Sequence, residues 1–178
     1  MSLVIRASRE ADLPAITAIY AHAVRHGTAS FELEPPSPND MAGRRQALLE
    51  GGFPYLVAEQ DGAVQGYAYA GPYRPRPAYR STVEDSVYVA PDAQGRGVGR
   101  ELLGRLIAAC VALDFRLMVA VIGDEASAGS IRLHESLGFV RAGVIPGIGF
   151  KHGRWLSTVL MHRDLGPGPA KPPTRPIR

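Results

Sequence analysis

The sequence predicts an α/β (α+β) fold built on a mixed β-sheet with helices on its faces. Apolar runs of strand length alternate along the chain with segments whose apolar residues recur every three or four positions, the spacing of one helix face. Two of the strand-like runs are separated only by Asp61-Gly62, which is typical of an antiparallel hairpin. A fully parallel, doubly wound sheet is therefore not expected.

The first part of the chain, up to Ala70, is predicted to hold two helices and three strands. The first helix follows the potential N-cap residues Ser8 and Asp12 and ends at Gly27. The second follows Ser37-Pro38-Asn39-Asp40, where a capping serine precedes a first-turn proline and an acid, and it ends at Gly51-Gly52. The strands expected in this part are Leu3–Ile5, Tyr55–Gln60 and Ala63–Ala70.

The second part begins with a loop, because the prolines of Gly71–Pro77 cannot donate to a strand ladder. Two helices are expected, over about 97–113 and 127–137, and the strands expected are Ser81–Ala90, Leu117–Ile122, Val140–Ile145 and Trp155–Met161. Leu117–Ile122 is apolar almost throughout, as in a strand buried on both faces. Residues 166–178 are rich in Gly and Pro, so we expect a flexible, solvated tail after a single domain over residues 1–165.

The composition excludes several classes of function. The 178 residues, 46% hydrophobic and 21% charged, are typical of one globular domain, and a net charge of +3 is too small to indicate a nucleic-acid partner. A single cysteine allows no internal disulfide, which favours a cytoplasmic protein. No signal peptide is expected, because the N-terminus meets charge at Arg6 and has no long apolar core, and without an apolar run of about 18 residues no membrane partner is expected. No spacing of His, Cys and carboxylates suggests a metal site.

The densest motif is the turn Gln94-Gly95-Arg96-Gly97-Val98-Gly99, between a predicted strand and a predicted helix. Its glycines let the backbone approach a ligand closely, and its N–H groups, together with the helix N-terminus, favour an anion. Arg96 and Arg100 add charged donors. The turn lacks the Lys-Ser/Thr of a Walker loop and the third glycine of a dinucleotide fingerprint. A glycine-rich turn without a ligand is the alternative.

The same turn, with Tyr88–Ala93 before it and Leu102-Leu103 after it, resembles the acyl-CoA signature Q/R-x-x-G-x-G/A of the GNAT superfamily of N-acetyltransferases. The order of elements is also similar over about residues 3–165. The resemblance implies a sheet of about seven strands with helices on both faces, and acetyl-CoA as co-substrate, with its pyrophosphate at the turn. Ser127 stands where relatives carry Asn, and its shorter reach puts that contact in question. The cofactor-binding residues implied are Val87, Tyr88, Val89, Gln94, Gly95, Arg96, Gly97, Val98, Gly99, Arg100 and Ser127.

Within that superfamily the chain is most similar to the phosphinothricin and methionine sulfoximine acetyltransferases. The stretches that carry this resemblance are Phe31–Pro35, Gly71–Arg76, Tyr79–Val89, Leu133–Phe139 and Gly149–Trp155. It implies direct transfer of acetyl to the α-amine of a small amino acid or analogue such as phosphinothricin, methionine sulfoximine or methionine sulfone, by a homodimer. The alternatives are another amine, such as a polyamine or a peptide N-terminus, and a non-catalytic acyl-CoA sensor.

Acetylation of an amine requires a base, a proton donor for the leaving thiolate and a donor for the oxyanion. The resemblance places the base at Glu84, whereas spacing alone cannot choose between Glu84 and its neighbour Asp85. The proton donor is either Tyr88 or His134, which stands where many superfamily members carry Tyr; the alternative for His134 is a hydrogen-bonded core histidine. A bulge in Val87–Val89 is implied as the source of the oxyanion N–H.

The resemblance and the local sequence also indicate where a substrate binds. Arg74 and Arg76 lie on a proline-stiffened loop and can clamp a carboxylate or phosphinate, and Tyr79 is implied in the same role. These arginines disfavour a polycationic substrate. Phe31 is expected to wall the pocket on its apolar side, and Glu84 faces the substrate amine. The alternatives are a solvated basic loop and simple packing of Phe31.

Overall fold

The structure is a computed structural model that describes residues 2–176; Ile177 and Arg178, the end of the predicted tail, lie outside the described residues. Seven strands form one sheet in the order β1-β2-β3-β4-β5-β7-β6. The strands are β1 Val4–Ala7, β2 Tyr55–Gln60, β3 Ala63–Pro72, β4 Thr82–Val89, β5 Leu117–Gly123, β6 Val140–Lys151 and β7 Arg154–Asp164. The helices are α1 Leu13–His26, α2 Pro38–Glu50, α3 Val98–Ala112 and α4 Ala128–Ser136.

The sheet is mixed, which confirms the predicted fold class. β4 and β5 are parallel, and the other neighbouring strands pair antiparallel. Asp61 and Gly62 connect β2 to β3 with φ angles of 53° and 77°, as a two-residue hairpin turn requires. At the start of α2, the Asp40 N–H donates to Ser37 Oγ and the Ser37 N–H donates to Asp40 Oδ2, so the predicted capping box is present.

The helices cover both faces of the sheet and build two hydrophobic clusters. α1 and α2 bury one face, with Ile16, Val24 and Tyr67 at the centre of its cluster. α3 packs on the other face against β2, β3 and β4, and α4 lies beside β5. Leu102 and Leu106 are fully buried there, and each such side chain contributes roughly 1.5–3 kcal/mol. These two clusters hold the central strands, from which the site is built.

Two strands extend beyond their predicted ends through prolines. β6 continues past Ile145 through Pro146 to Lys151, and its pairing with β7 shifts register between Ile145 and Gly149. Proline is tolerated there because β6 is an edge strand. β3 continues through Gly71 and Pro72, which pair with Glu84 and Val83, although the loop was expected to begin at Gly71.

The described part of the C-terminal tail packs against the start of β5. The Thr174 N–H donates to Asp114 Oδ2 at 3.0 Å, Arg116 donates to the Pro172 carbonyl at 3.2 Å, and the Arg175 guanidinium lies 3.8 Å from the centre of the Phe115 ring. A composition rich in Gly and Pro predicts a solvated tail; most of residues 166–176 are exposed, and these contacts join their last part to the domain. These contacts are made by single backbone carbonyls and single side chains, so the composition of the segment does not predict them.

Candidate active site

The sheet opens between β4 and β5, and we call this opening the fork. The two strands pair at Thr82–Leu117, Val83–Met118 and Glu84–Val119. β4 then continues to Val89 and β5 to Gly123 with no further ladder pairs between these described segments. The backbone edge of β4 inside the fork is therefore available to an extended ligand that carries amides.

On its other edge, β4 pairs regularly with β3. The register runs unbroken from Gly66–Val89 to Pro72–Val83. The bulge expected at Val87–Val89 is therefore absent, and that expectation is wrong. Backbone N–H groups are nevertheless exposed there, because the divergence of β5 removes the ladder partner on one edge of β4.

Two adjoining cavities meet at the fork. The smaller, about 370 Å³, lies between the diverging strands and reaches from Glu84 to Gly123. The larger, about 770 Å³, lies between the end of α1 and the turn Gln94–Gly99. The two cavities share lining residues, which are Ala29, Val87, Tyr88, Ser127 and Ser130. A ligand in the larger cavity can therefore place one end in the smaller one.

The turn Gln94–Gly99, the glycine turn, has the backbone that its sequence predicts. Gly95 and Gly97 have φ angles of 73° and 84°, a region that L side chains rarely adopt. Gly97 is the N-cap of α3, whose first N–H groups have no partner within the helix. Gln94 and Arg100 line the larger cavity, whereas Arg96 does not. The turn therefore presents amides and the positive end of a helix to the larger cavity.

Glu84 lies at the point where β4 and β5 separate, on the wall of the smaller cavity. Glu84 pairs with Gly71 on β3. Ser86 is two residues further along β4, so it lies on the same face as Glu84, and it pairs with Tyr69. Glu84 therefore lies on the α1–α2 face of the sheet. Burial raises the pKa of this carboxyl and the neighbouring charge of Asp85 raises it further, while Arg74 lowers it. A glutamate whose pKa lies above its ordinary value suits a general base near neutral pH.

Tyr88 lies on the same face of β4 as Glu84 and lines both cavities. Its ring centre is 5.0 Å from that of Tyr20, edge-on, and 5.3 Å from the stacked ring of Tyr67. Burial raises the pKa of the Tyr88 phenol well above 10. The hydroxyl therefore stays protonated at neutral pH and is a hydrogen-bond donor.

His134 lies on the opposite face and is joined to β4 by an ion pair. Its Nε2 lies 3.0 Å from Asp85 Oδ2, and its Nδ1 lies 2.7 Å from the Ser130 carbonyl oxygen. Both side chains are buried, and both line the smaller cavity. Burial opposes a charge on the ring, but the hydrogen bond and the charge of Asp85 outweigh it and raise the pKa of His134.

The loop between α1 and α2 crosses the end of β5 and forms one wall of the smaller cavity. A Cβ on Gly123 would lie 1.9 Å from the Thr28 carbonyl oxygen, and a Cβ on Gly149 would lie 2.6 Å from the Phe31 ring. Glycine at these two positions therefore allows the loop to lie this close. The buried Lys151 Nζ donates to the Ser30 carbonyl at 2.7 Å, and this hydrogen bond holds the loop against the end of β6. Phe31 lines the smaller cavity.

The loop after β3 lies outside both cavities. Arg74 stacks on the Tyr73 ring, 4.5 Å from its centre, and its charge acts on Glu84. Arg76 is exposed, and Tyr79 is 41% exposed at the end of a 3-10 turn, Pro77–Tyr79. None of these three residues lines either cavity. The charge of Arg74 therefore reaches Glu84, whereas Arg76 and Tyr79 are exposed outside both cavities.

The sequence pattern that describes the acetyltransferase (GNAT) family matches residues 16–139. The chain belongs to this family. A phosphinothricin N-acetyltransferase from Alcaligenes faecalis is 57% identical over 164 residues, which are 92% of this chain and 83% of that protein. An L-methionine sulfoximine/L-methionine sulfone acetyltransferase from Salmonella typhimurium is 42% identical over 163 residues, which are 92% of this chain and 95% of that protein.

A solved structure gives the same relationship. The crystal structure of a GNAT superfamily phosphinothricin acetyltransferase from Sinorhizobium meliloti in complex with acetyl-CoA is 48% identical to this chain, with a TM-score of 0.95. The match covers 99% of this chain and 96% of the other. The chain is therefore a GNAT acetyltransferase in sequence and in fold, which confirms the resemblance seen in its motifs.

Two polar contacts of this acetyltransferase's site were not predicted from the sequence. Asp85 is separated from His134 by 49 positions, so no local pattern predicts their contact. Lys151 bonds Ser30 across 121 positions, and burial lowers the pKa of its ammonium. The only sequence signal for Asp85 is an acid in a strand beside the predicted base.

Among residues 2–176, no three His, Cys, Asp or Glu side chains come together as possible metal ligands. No helix in that range is both long enough and apolar enough to cross a bilayer.

Proposed function

We propose that this acetyltransferase transfers the acetyl group of acetyl-CoA directly to the α-amine of a small amino acid or amino-acid analogue, of the phosphinothricin, methionine sulfoximine or methionine sulfone type. The observation that carries the proposal is the meeting of two cavities at the fork, one beside the glycine turn and the other beside Glu84. The named activities of the relatives support this class of substrate.

The larger cavity and the fork fit acetyl-CoA. The amides of Gly95, Gly97 and Gly99 would bind the pyrophosphate, and the free edge of β4 at Val87–Val89 would pair with the amides of the pantetheine arm. Ser127 lines both cavities, but its hydroxyl donates to the Gly123 carbonyl at 2.7 Å, so its oxygen accepts from the ligand. When bound, acetyl-CoA supplies an activated acetyl group as a thioester. A solved relative holds acetyl-CoA.

Glu84 acts as the general base in this proposal. It accepts the proton that the amine nitrogen loses as the nitrogen lone pair attacks the thioester carbonyl carbon. A positioned base contributes typically 10²–10⁴-fold. A backbone N–H on the free edge of β4, within Val87–Val89, donates to the carbonyl oxygen as that oxygen gains negative charge.

His134 is the proton donor to the departing thiolate in this proposal, and Tyr88 contributes a hydrogen-bond donor. A thiol has an ordinary pKa of about 8.5. A phenol whose pKa is raised well above its ordinary value near 10 gives its proton to such a thiolate uphill. The hydrogen bond and charge of Asp85 raise the pKa of His134 and so favour the protonated ring, which can donate. The directions of the two shifts therefore favour His134.

The substrate would lie in the smaller cavity, with its amine at Glu84 and its side chain against Phe31. Arg74 would bind the acidic group of the substrate, since it lies close enough to Glu84 for its charge to lower that pKa. Arg76 and Tyr79, which are exposed on the same loop, would attract and orient the same group. The positive charges of Arg74 and Arg76 disfavour polyamines.

We also propose that the protein is a cytoplasmic homodimer. The β6–β7 hairpin exposes large apolar side chains, of which Trp155 is 67% and Phe150 is 56% exposed, and their rings are in edge-on contact. Ile148 and Val140 are also more than half exposed on β6, an edge strand. A surface of this kind marks an interaction site. Light scattering that gives the mass of one chain at micromolar concentration would contradict the dimer.

The experiment that tests the proposed function measures release of coenzyme A thiol from acetyl-CoA. The purified protein is offered phosphinothricin, methionine sulfoximine, methionine sulfone, the common amino acids, a polyamine and a peptide. Release with the first three compounds supports the proposal, and release only with the polyamine or peptide contradicts the substrate class. Tight binding of acetyl-CoA without thiol release from any amine would identify an acyl-CoA sensor instead.

A further inference from the structure

Both ring nitrogens of His134 face hydrogen-bond acceptors. One acceptor is a backbone carbonyl, and the other is a carboxylate, which can only accept when it is ionised. Nδ1 lies 2.7 Å from the Ser130 carbonyl, so Nδ1 carries a hydrogen. Nε2 lies 3.0 Å from Asp85 Oδ2. A neutral imidazole has only one N–H, so a second proton must lie between Nε2 and Oδ2. The geometry thus favours a His134–Asp85 pair that holds one proton more than a neutral imidazole beside an ionised carboxylate.

The pair occupies a defined place in the fork. Asp85 is the first residue of β4 after the last β4–β5 pair, and it is 7% exposed, while His134 on α4 is 4% exposed. Both residues line the smaller cavity, so their contact joins α4 to β4 at the wall of the fork. The Phe139 ring lies edge-on to the imidazole, 4.9 Å between centres, and restricts its rotation.

Of the titratable groups around the pair, Asp85 is the one that controls protonation of His134. Glu84 also belongs to β4, but it lies on the other face of the sheet. On α3, burial raises the pKa of the Cys110 thiol to about 12, and the charge of Asp85 adds to this rise, so Cys110 stays neutral. Asp85 is the ion-pair partner found for His134 among the described residues. Asp85 Oδ1 is buried without a hydrogen-bond partner in the same range.

We propose that Asp85 is a positioning residue for acetyl transfer: it fixes the imidazole of His134 in the fork and holds on the pair the proton that the departing thiolate takes. This inference rests on the proposed function. It adds a second carboxylate to the site, with a role different from that of Glu84.

The proton transfers balance when the reaction starts from the neutral amine. The nitrogen forms a bond to the carbonyl carbon and loses one proton to Glu84, and the carbon–sulfur bond breaks with its electron pair on sulfur. The sulfur takes the proton held between His134 and Asp85. Solvent then returns one proton to the pair and accepts one from Glu84.

The test is the Asp85→Asn variant, which keeps the shape of the side chain and removes its charge. The C2–H resonance of His134 in NMR spectra should titrate about one unit or more lower in pH, because an opposite charge shifts a pKa by 1–3 units. At a pH above the pKa of His134, each unit by which that pKa falls lowers the protonated fraction of His134 about tenfold. The descending limb of kcat should therefore move to lower pH, while the KM for acetyl-CoA stays within about twofold.

Two further variants separate positioning from a structural role. Glu135→Gln removes an exposed carboxylate one residue from His134, and it should shift neither the titration nor the limb. In a His134→Gln background, Asp85→Asn should lower kcat little further, because residues that act as a unit are not additive. A merely structural Asp85 would cost as much in that background as in the parent. This cycle keeps the test informative if Asp85→Asn alone folds poorly.

The possible failures are distinguishable. If the parent protein acetylates amino-acid analogues, but Asp85→Asn leaves both the His134 titration and the descending limb of kcat unchanged, this inference is overturned and the proposed function stands. If the parent protein releases no thiol with any amine, the proposed function fails.

Discussion

Glu84 and Asp85 are consecutive residues of β4, yet their carboxylates lie on opposite faces of the sheet. Glu84 lies on the α1–α2 face, with Tyr88, whereas Asp85 is bonded to His134 of α4 on the other face. Both line the cavity at the fork. Because side chains alternate along a strand, one dipeptide can serve both sides of a ligand that passes between β4 and β5.

Gly97 tests the assignment of the glycine turn to the pyrophosphate. Gly97→Asp and Gly97→Asn both place a side chain at a φ of 84°, which Asn and Asp tolerate better than other residues, so they share the backbone cost. Only Asp adds negative charge where two phosphates are expected. Calorimetry should give a Kd for acetyl-CoA that is about tenfold or more higher for Asp than for Asn, about 1.4 kcal/mol. Equal Kd values in the two variants would remove the phosphates from this turn.

Gly149 tests the position of Phe31. The Cβ of Gly149→Ala would lie 2.6 Å from the Phe31 ring, so the ring must leave its present position in the cavity wall. Overpacking costs about 1–3 kcal/mol, so the KM for the amine should rise about fivefold or more while the KM for acetyl-CoA changes little. Gly143→Ala, on the same strand, meets no atom within 4 Å and is the matched control. Identical amine KM values for the two variants would show that Phe31 does not wall the substrate site.

Arg74 tests the electrostatics of Glu84. The charge of Arg74 lowers the pKa of Glu84, so in Arg74→Ala that pKa should be higher. The base form then requires a higher pH, and the ascending limb of kcat/KM should move upward in pH, with a higher KM for the amine. Arg76→Ala removes an exposed charge from the same loop and should leave the ascending limb in place. A limb that moves equally in both variants would indicate a general effect of the loop charge.

Asp12 tests the anchoring of α1 to the sheet. Its carboxylate accepts from Arg6 at 2.7 and 2.8 Å and from the Arg9 N–H at 2.7 Å. Asp12→Asn should lower the free energy of unfolding at pH 7 by about 3 kcal/mol. The hydrogen bond from Arg6 lowers the pKa of Asp12, so this stabilisation is complete above about pH 4 and is lost as the pH falls through the folded-state pKa. Urea denaturation at pH 7 and at pH 3 measures the difference.

The control for Asp12 is Glu34→Gln, which removes an exposed carboxylate. It should change the free energy of unfolding by less than about 0.5 kcal/mol at either pH. A difference between Asp12→Asn and the parent protein that persists undiminished at pH 3 would contradict the assignment.

Local patterns in the sequence predict much of this fold. The Asp61-Gly62 turn, the capping box at Ser37 and the glycine turn each depend on a few adjacent residues, and each is present in the structure. The length of β6 could not be predicted in this way. Pro146 is compatible with a strand only because β6 lies at the edge of the sheet, which is a property of the whole topology.

The site shows the same division. Gln94, Gly97 and Glu84, which motif and resemblance single out in the sequence, all line cavities. The bond between Asp85 and His134 joins residues far apart in the chain, so no periodicity could reveal it. The outer position of Tyr79 depends on the path of a loop, which local sequence does not determine.

The rate of thiol release with methionine sulfoximine across pH 6–9, in the parent protein and in Glu84→Gln, tests the central claim most directly. With acetyl-CoA bound equally well, kcat of the variant at pH 7 should be about 10²–10⁴-fold lower. Its residual rate should rise with pH as the free amine becomes more abundant. A Glu84→Gln variant that matches the parent rate within about threefold over this range would contradict amine deprotonation by Glu84 at the fork.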